Sequence, residues 1–299
     1  TIYLCKHCST TLTRLKIIFK RVNVVEQCLH RYFVGDRELI SSCDFIPEHF
    51  EGENYLYEVI RIVSGKPLFL EEHLVRLERG CIQSGTPFPG FQKLKQRIKA
   101  LIQANSIDSG NIKLMLAPPF SGSKFKVALW FIPSFYPSSA IYEGGVEVAL
   151  YDQSRENPTL KIFNRQYKTE TSETIKKLGV YELLLTRDGQ LSEGSKSNVF
   201  FVLDDDVFTP PSDQVLAGVT RQKVIRICQT NNIQCIEKPV NTHEINRFEA
   251  IFLTGTSPGV IAVNKIGKSF HFNVNHPVTV KIAKDYQLQC AMNIESFVW

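Results

Sequence analysis

The sequence has no long apolar run. Its longest uninterrupted stretch, Val127-Ala-Leu-Trp-Phe-Ile-Pro133, is too short to cross a bilayer. The first residues hold no continuous apolar core of the kind a secretory signal needs. There is no second cysteine pair either. Cys5-Lys-His-Cys8 has ligand-like spacing, but no other CxxC and no HxxxH follows, and a structural zinc site takes four ligands, so no metal is expected. The remaining cysteines stand mostly isolated in apolar stretches, the usage of reduced thiols in a cytosolic protein. No internal repeat and no low-complexity tract is present. Net charge is scarce outside one segment: residues 1–30 carry +4 of the chain's +5, through Lys6, Arg14, Lys16, Lys20 and Arg21 against Glu26 alone. A near-neutral body speaks against a phosphate-backbone groove, so neither nucleic acid nor membrane is an expected partner.

What the sequence does contain is globular. With 299 residues, 43% hydrophobic and 22% charged, it is long enough for two domains that each bury a core. A first strand is expected near Tyr32–Leu39, turning at Gly35-Asp36. Tyr55–Val63 reads as a second, with Tyr55, Tyr57, Val59, Arg61 and Val63 on one face and Leu56, Glu58, Ile60 and Ile62 on the other. Leu70, Leu74, Leu77 and Cys81 mark a helix, and Phe91, Leu94, Ile98, Leu101 and Ile102 a second. Strands at 112–117 and 126–132 complete a small α+β domain, residues 31–132. Pro133–Ser139 has a linker's composition, and the linker is drawn at 133–143. A larger domain, 144–299, alternates strands (146–151, 182–185, 198–203, 250–253) with helices (165–177, 220–231, 278–290). A cleft between the domains is the expected place for a site. Residues 1–30 are an extension that is rich in Thr and basic residues. It fits an ordinary segment of a cytoplasmic protein or an organelle leader, and a chain beginning at Thr1 does not show its true start.

Four separated features point to a phosphorylated aromatic aldehyde as ligand. Arg76 lies on the helix after the Tyr57 strand, where a lone arginine is ordinarily a solvated charge. Gly218-Val219-Thr220 opens a helix whose free N–H groups suit an anion, though Thr also caps helices generally. Thr254-Gly-Thr256-Ser-Pro258 follows an apolar strand, as phosphate cradles and plain turns both do. Lys161 sits in the apolar stretch Thr159–Asn164, where desolvation favours the neutral amine a Schiff-base nucleophile needs. Glu193, which with Lys161 makes up the fourth feature, lies in Leu191-Ser-Glu-Gly-Ser-Lys-Ser-Asn198, a polar turn leading into a strand, though a surface lysine and a turn glutamate would read the same way.

Five motifs then occur in order: Tyr57-Glu-Val-Ile-Arg61, His73-Leu-Val-Arg76-Leu77, Lys161-Ile-Phe-Asn164-Arg165, Ser192-Glu-Gly-Ser-Lys-Ser-Asn198 and Gly218-Val-Thr-Arg221. Together they resemble the class IV aminotransferase family, the fold-type IV pyridoxal-phosphate enzymes, over roughly residues 31–270. That family includes D-amino-acid and branched-chain aminotransferases and aminodeoxychorismate lyase. The resemblance implies a two-domain α+β fold with pyridoxal 5'-phosphate in the interdomain cleft. It implies that Lys161 forms the Schiff base with the cofactor and shuttles the substrate proton, and that Glu193 pairs with the pyridine nitrogen. Arg76 would clamp the phosphate with the backbone of Val219 and Thr220 and with Thr256, and Tyr57 would stand beside the reacting centre. Lys168 is a competing nucleophile, set aside because its Tyr/Thr/Glu surroundings are more exposed.

The substrate implied is an amino acid with a 2-oxo acid as acceptor, in a homodimer. Ile112–Phe120 lacks the Arg-x-His pair of D-amino-acid aminotransferases, and no stretch matches the extended branched-chain signature. Asn164-Arg165 is similar to the lyase, Tyr57-Glu58 to the aminotransferases. The activity expected is aminotransfer, with release of pyruvate and 4-aminobenzoate as the lyase alternative and a non-catalytic protein of this fold as a third. Arg61 shares a strand face with Tyr57, so it is expected either to meet a substrate carboxylate in the same pocket or to reach past the sheet edge into water.

Overall fold

The protein is described here by a computed structural model covering residues 27–50, 55–118 and 124–299. The Cys5–Cys8 pair and nearly all of the basic extension lie outside the described residues. Among those described, the strands form two sheets.

The smaller sheet is built around Tyr55–Val63, whose alternation sorts its faces as the sequence predicts. Leu56, Glu58, Ile60 and Ile62 are buried, while Tyr57, Val59, Arg61 and Val63 are half-buried. This strand runs antiparallel to Ser109–Leu116 in continuous register, from Leu56 opposite Leu116 to Val63 opposite Ser109. Beyond that lie Val127–Ile132, Leu29–Gly35 and Glu38–Ser41. Helices α1 (Leu70–Ser84) and α2 (Phe91–Asn105) cover the apolar face. Leu74, Leu77, Leu94, Ile98 and Leu101 pack there on Leu56, Ile60, Ile62, Ile112 and Leu114. Each such side chain contributes about 1.5–3 kcal/mol by leaving water.

The larger sheet has the order Cys235–Glu237, Asp206–Thr209, Asn198–Leu203, Ala250–Gly255, Gly259–Ile266, Val146–Asp152, Glu182–Arg187, Gln190–Gly194 and Val240–Asn241. Its centre was not fully legible in the sequence. Gly259–Ile266 joins an antiparallel neighbour, Ala250–Gly255, to a parallel one, Val146–Asp152. Its first five residues, 259–263, are apolar and buried whichever face they turn to, so no alternation marks it as a strand. Two more helices of the chain precede the fifth: α3 (Ser139–Gly144) and α4 (Arg165–Leu178). Helices α5 (Val219–Thr230) and α6 (Pro277–Ser296) pack on one face of the larger sheet, through Val224, Ile227, Ile282 and Tyr286 against Phe200, Val202 and Phe252.

The division between the two units is less clean than a linker at 133–143 suggests. That segment contains α3, and Tyr142 of α3 donates to the Pro258 carbonyl at 2.7 Å. The two-residue strand Ile162–Phe163 leaves the larger unit and pairs with Tyr55-Leu56 of the smaller sheet. The end of α6 also crosses over. Lys66 Nζ donates to the Ile294 carbonyl, Asn293 Oδ1 accepts from the Phe69 N–H, and Phe297 packs on the small core.

Candidate active site

A cavity of about 660 Å³ opens between the two sheets, lined by residues of both. Tyr57, Arg76, Lys161, Glu193, Val219, Thr220 and Thr256 all line it, so seven of the eight sequence-selected residues meet on one space.

Lys161 arrives there because the chain crosses to the small sheet at that point. Its carbonyl accepts from the Tyr57 N–H at 3.0 Å, and the next two residues form the Ile162–Phe163 strand. The half-buried side chain ends with Nζ 4.5 Å from the centre of the Tyr57 ring. Burial alone would raise the Tyr57 phenol, but Lys161, Arg155, Lys113 and Lys168 surround it with positive charge, and the net direction is down. Lys168, the competing lysine, also lines the cavity but is exposed.

Glu193 lies not in a turn but on a strand, Gln190–Gly194, at the register shift between Leu191 and Gly194 against Glu182–Arg187. The polar composition hid the strand, yet Leu191 and Glu193 are buried while Ser192 between them is half-buried. A carboxylate there needs partners. Its Oε1 accepts from Arg155 Nη1 at 3.1 Å, and its Oε2 from the Leu216 N–H at 3.0 Å and from Asn198 Nδ2 at 3.4 Å. Burial pushes the Glu193 carboxyl above its ordinary range, with Arg155 and the Leu216 N–H pulling the other way. Arg155 also donates to the Leu160 carbonyl at 3.0 Å, so one guanidinium ties the carboxylate to the backbone just before Lys161. A second buried carboxyl lining the cavity, Glu182, is likewise raised by burial and accepts from the Ser195 hydroxyl.

The opposite end of the cavity suits an anion. Helix α5 begins at Val219 with Gly218 as an extended N-cap and no capping side chain. Its first N–H groups carry the positive end of the helix dipole. A side chain at Gly218 would place Cβ 2.1 Å from Asn198 Oδ1, so the turn requires glycine for its close approach. The buried Thr254 hydroxyl has no hydrogen-bond partner among the described residues. Arg76 stands alongside, donating through Nη1 to the Ala217 carbonyl at 3.2 Å. Its Nε and Nη2 bind Glu58 Oε1 and Oε2 at 2.7 and 2.6 Å, and His73 Nδ1 lies 2.8 Å from Oε2. Burial opposes the charge on Glu58, but Arg76 and His73 overcome it and bring its pKa down to about 2. Burial holds the His73 imidazole below its ordinary range.

Arg61 does not line the cavity. Its guanidinium lies 4.6 Å over the Tyr136 ring, with Nη1 3.5 Å from the Ser257 carbonyl. Asn111, opposite Arg61 in register, donates to the Ser257 hydroxyl at 2.8 Å and accepts from Tyr136. These contacts hold the Thr254–Pro258 loop to the small sheet. Sequence reasoning missed Glu58, His73, Arg155 and Asn198 as parts of the site. Glu58 carried a signal, a carboxylate on the apolar face of an amphipathic strand. Arg155 sits in a polar loop with nothing local to mark it.

The profile of the "Amino-transferase class IV" family matches residues 55–266. "D-alanine aminotransferase" of Bacillus licheniformis is 26% identical over 76% of this chain and 84% of its own length. A protein of Thermotoga maritima named "Probable branched-chain-amino-acid aminotransferase" is 31% identical over 82% of this chain and 90% of its own. A solved structure named "Putative 4-amino-4-deoxychorismate lyase", from Legionella pneumophila, has the same fold. It superposes with a TM-score of 0.71 at 24% identity, covering 80% of this chain and 92% of that one.

Proposed function

The chain belongs to the amino-transferase class IV family, and from that premise we propose that it moves an amino group between an amino acid and a 2-oxo acid, with pyridoxal 5'-phosphate held in the cavity. The observation that carries this reading is the convergence on one space of an amine, Lys161, a buried carboxylate, Glu193, and an anion-binding end made of Arg76 and the uncapped α5 N-terminus. The unpartnered Thr254 hydroxyl and the close backbone at Gly218 fit a phosphorylated ring at this place.

When bound, the cofactor supplies an aldehyde that condenses with amines and a ring that accepts carbanion charge. The protein's residues supply the rest. Lys161 Nζ, 4.5 Å from the centre of the Tyr57 ring, would be the nucleophile and then the base, taking the proton from the amino donor's α carbon and, in the return half-reaction, giving one to the α carbon of the acceptor. The cations that lower the Tyr57 phenol also hold positive charge around that proton transfer. Glu193, held by Leu216, Asn198 and Arg155, would pair with the ring nitrogen. Arg76, Val219, Thr220 and Thr256 would hold the phosphate.

Borohydride reduction of the holoenzyme followed by peptide mass spectrometry tests the assignment. The label is expected on Lys161, and Lys161→Ala is expected to be colourless and to lose activity by several orders of magnitude. A label on Lys168, or a coloured and trappable Lys161→Ala, overturns it. The lyase alternative uses the same residues through its first steps, and the product separates the two: pyruvate with 4-aminobenzoate, or an amino group passed to an added oxo acid.

A further inference from the structure

We propose that Glu58 and His73 are positioning residues that aim the Arg76 guanidinium at the cofactor phosphate, a role that rests on the phosphate reading of this end of the cavity. Glu58 stands on the core face of its strand, between Leu56 and Ile60, with a side chain only 1% exposed. A buried carboxylate costs stability unless fully paired, so its presence on an apolar face requires an explanation. The pairing supplies one. A guanidinium has five N–H donors in one plane. Glu58 takes the side-on pair, from Nε and Nη2, and the Ala217 carbonyl takes one from Nη1. One donor on each Nη is left for a further acceptor. Arg76 lines the cavity beside Gly218, Val219 and Thr220, so those two donors and the α5 N–H groups border the same space. Three anchors fix the plane of the guanidinium before any anion arrives. His73, one helical turn before Arg76 on α1, fixes Glu58 in turn through Oε2.

The arrangement separates aim from charge. Glu58 is held ionised and His73 is held toward its neutral form, so Glu58 cancels the formal charge of Arg76. If net charge drew the phosphate, removing Glu58 would tighten binding. If aim matters more, removing it loosens binding even though a negative charge has gone.

The test compares dissociation constants of pyridoxal 5'-phosphate and pyridoxal for cofactor-stripped wild type, Glu58→Gln, Glu58→Asp and His73→Leu, each prepared as the full chain. Wild type is expected to prefer the phosphorylated aldehyde. Glu58→Gln and Glu58→Asp are expected to reduce that preference about tenfold or more, and His73→Leu about threefold, with pyridoxal affinity little changed. A general loss of structure would weaken both ligands alike, and that outcome, an unchanged preference or a tighter phosphate in Glu58→Gln each overturns the proposal. If Glu58→Gln does not fold, Glu58→Asp, which keeps the charge and shortens the arm, decides. A wild type that binds both ligands equally would instead overturn the phosphate reading itself.

Discussion

Replacing Arg155 by methionine removes the guanidinium paired with Glu193 while keeping an apolar arm of similar reach. The pair is 3.1 Å apart, with side chains 17% and 4% exposed. Removing one member of a buried pair costs about 3–5 kcal/mol, because the other charge is stranded. Protonation sets a ceiling on that cost. Neutralising a carboxyl of ordinary pKa near 4.3 at pH 7 takes about 4 kcal/mol, at about 1.4 kcal/mol per pH unit, and less than that for Glu193, which burial already raises. The Leu216 N–H and Asn198 remain on Oε2 and keep part of the charge solvated. The expected loss at pH 7 is therefore about 3–4 kcal/mol, of which about 1 kcal/mol is the donor lost by the Leu160 carbonyl and independent of pH.

The sign follows from the direction of the shift. Burial raises Glu193 in the folded protein, and without Arg155 it rises further. A carboxyl raised on folding loses stability between its unfolded and its folded pKa, so both proteins lose it at first, and the deficit of Arg155→Met grows only above the raised wild-type value, where wild type has stopped losing and the variant has not, and shrinks as pH falls back through it. Urea denaturation of the cofactor-free proteins between pH 5 and 8 measures it, with a deficit of about 1–2 kcal/mol expected at pH 5. Adding Glu193→Gln, which can still accept from Leu216, is expected to recover about 2 kcal/mol at pH 7. A deficit independent of pH, or a double variant no better than Arg155→Met, would refute the argument.

Two further substitutions probe the anion end and its loop. Gly218→Ala drives Cβ into Asn198 Oδ1, and Asn198 cannot swing away without abandoning the Leu216 carbonyl at 2.9 Å. A stability loss of about 1–3 kcal/mol is expected by thermal melting, with a larger fall in cofactor affinity by absorbance titration. Arg61→Ala removes a cation near the Ser257 carbonyl but leaves Asn111 holding Ser257. Because Arg61 lies outside the cavity, steady-state kinetics are expected to show little change in the KM for the amino donor, with cofactor binding intact; loss of cofactor would mean that Arg61 itself sets the loop, and a raised KM that it meets the substrate.

Local patterning made much of the frame legible in the sequence. Period two marked Tyr55–Val63 and its two faces, and 3.6-residue spacing marked α1 and α2. Helix α5 begins one residue before the expected Thr220, at Val219. Such elements declare themselves because one face must meet a core and the other need not. The motif residues Lys161, Glu193, Arg76 and Thr256 were legible through resemblance, and the fold brings them around one cavity. Gly259–Ile266 was hidden because its first five residues are apolar on both faces, which erases alternation, and Glu193's strand because its composition is polar.

Local patterning was enough to mark a segment as strand or helix wherever one face is polar, and to show which residue types the chemistry has available. Which of them act together depended on contacts between distant parts of the chain. Arg155 meets Glu193 across 38 residues of chain, and Arg76 meets Ala217 across 141. Glu58 becomes the support of an arginine rather than a flaw in an apolar face only when α1 lies against its strand. Periodicity reports what one element turns toward the core. The partner waiting there comes from elsewhere in the chain, and burial then makes the pairing obligatory, because a charge removed from water must find its complement or not be charged at all.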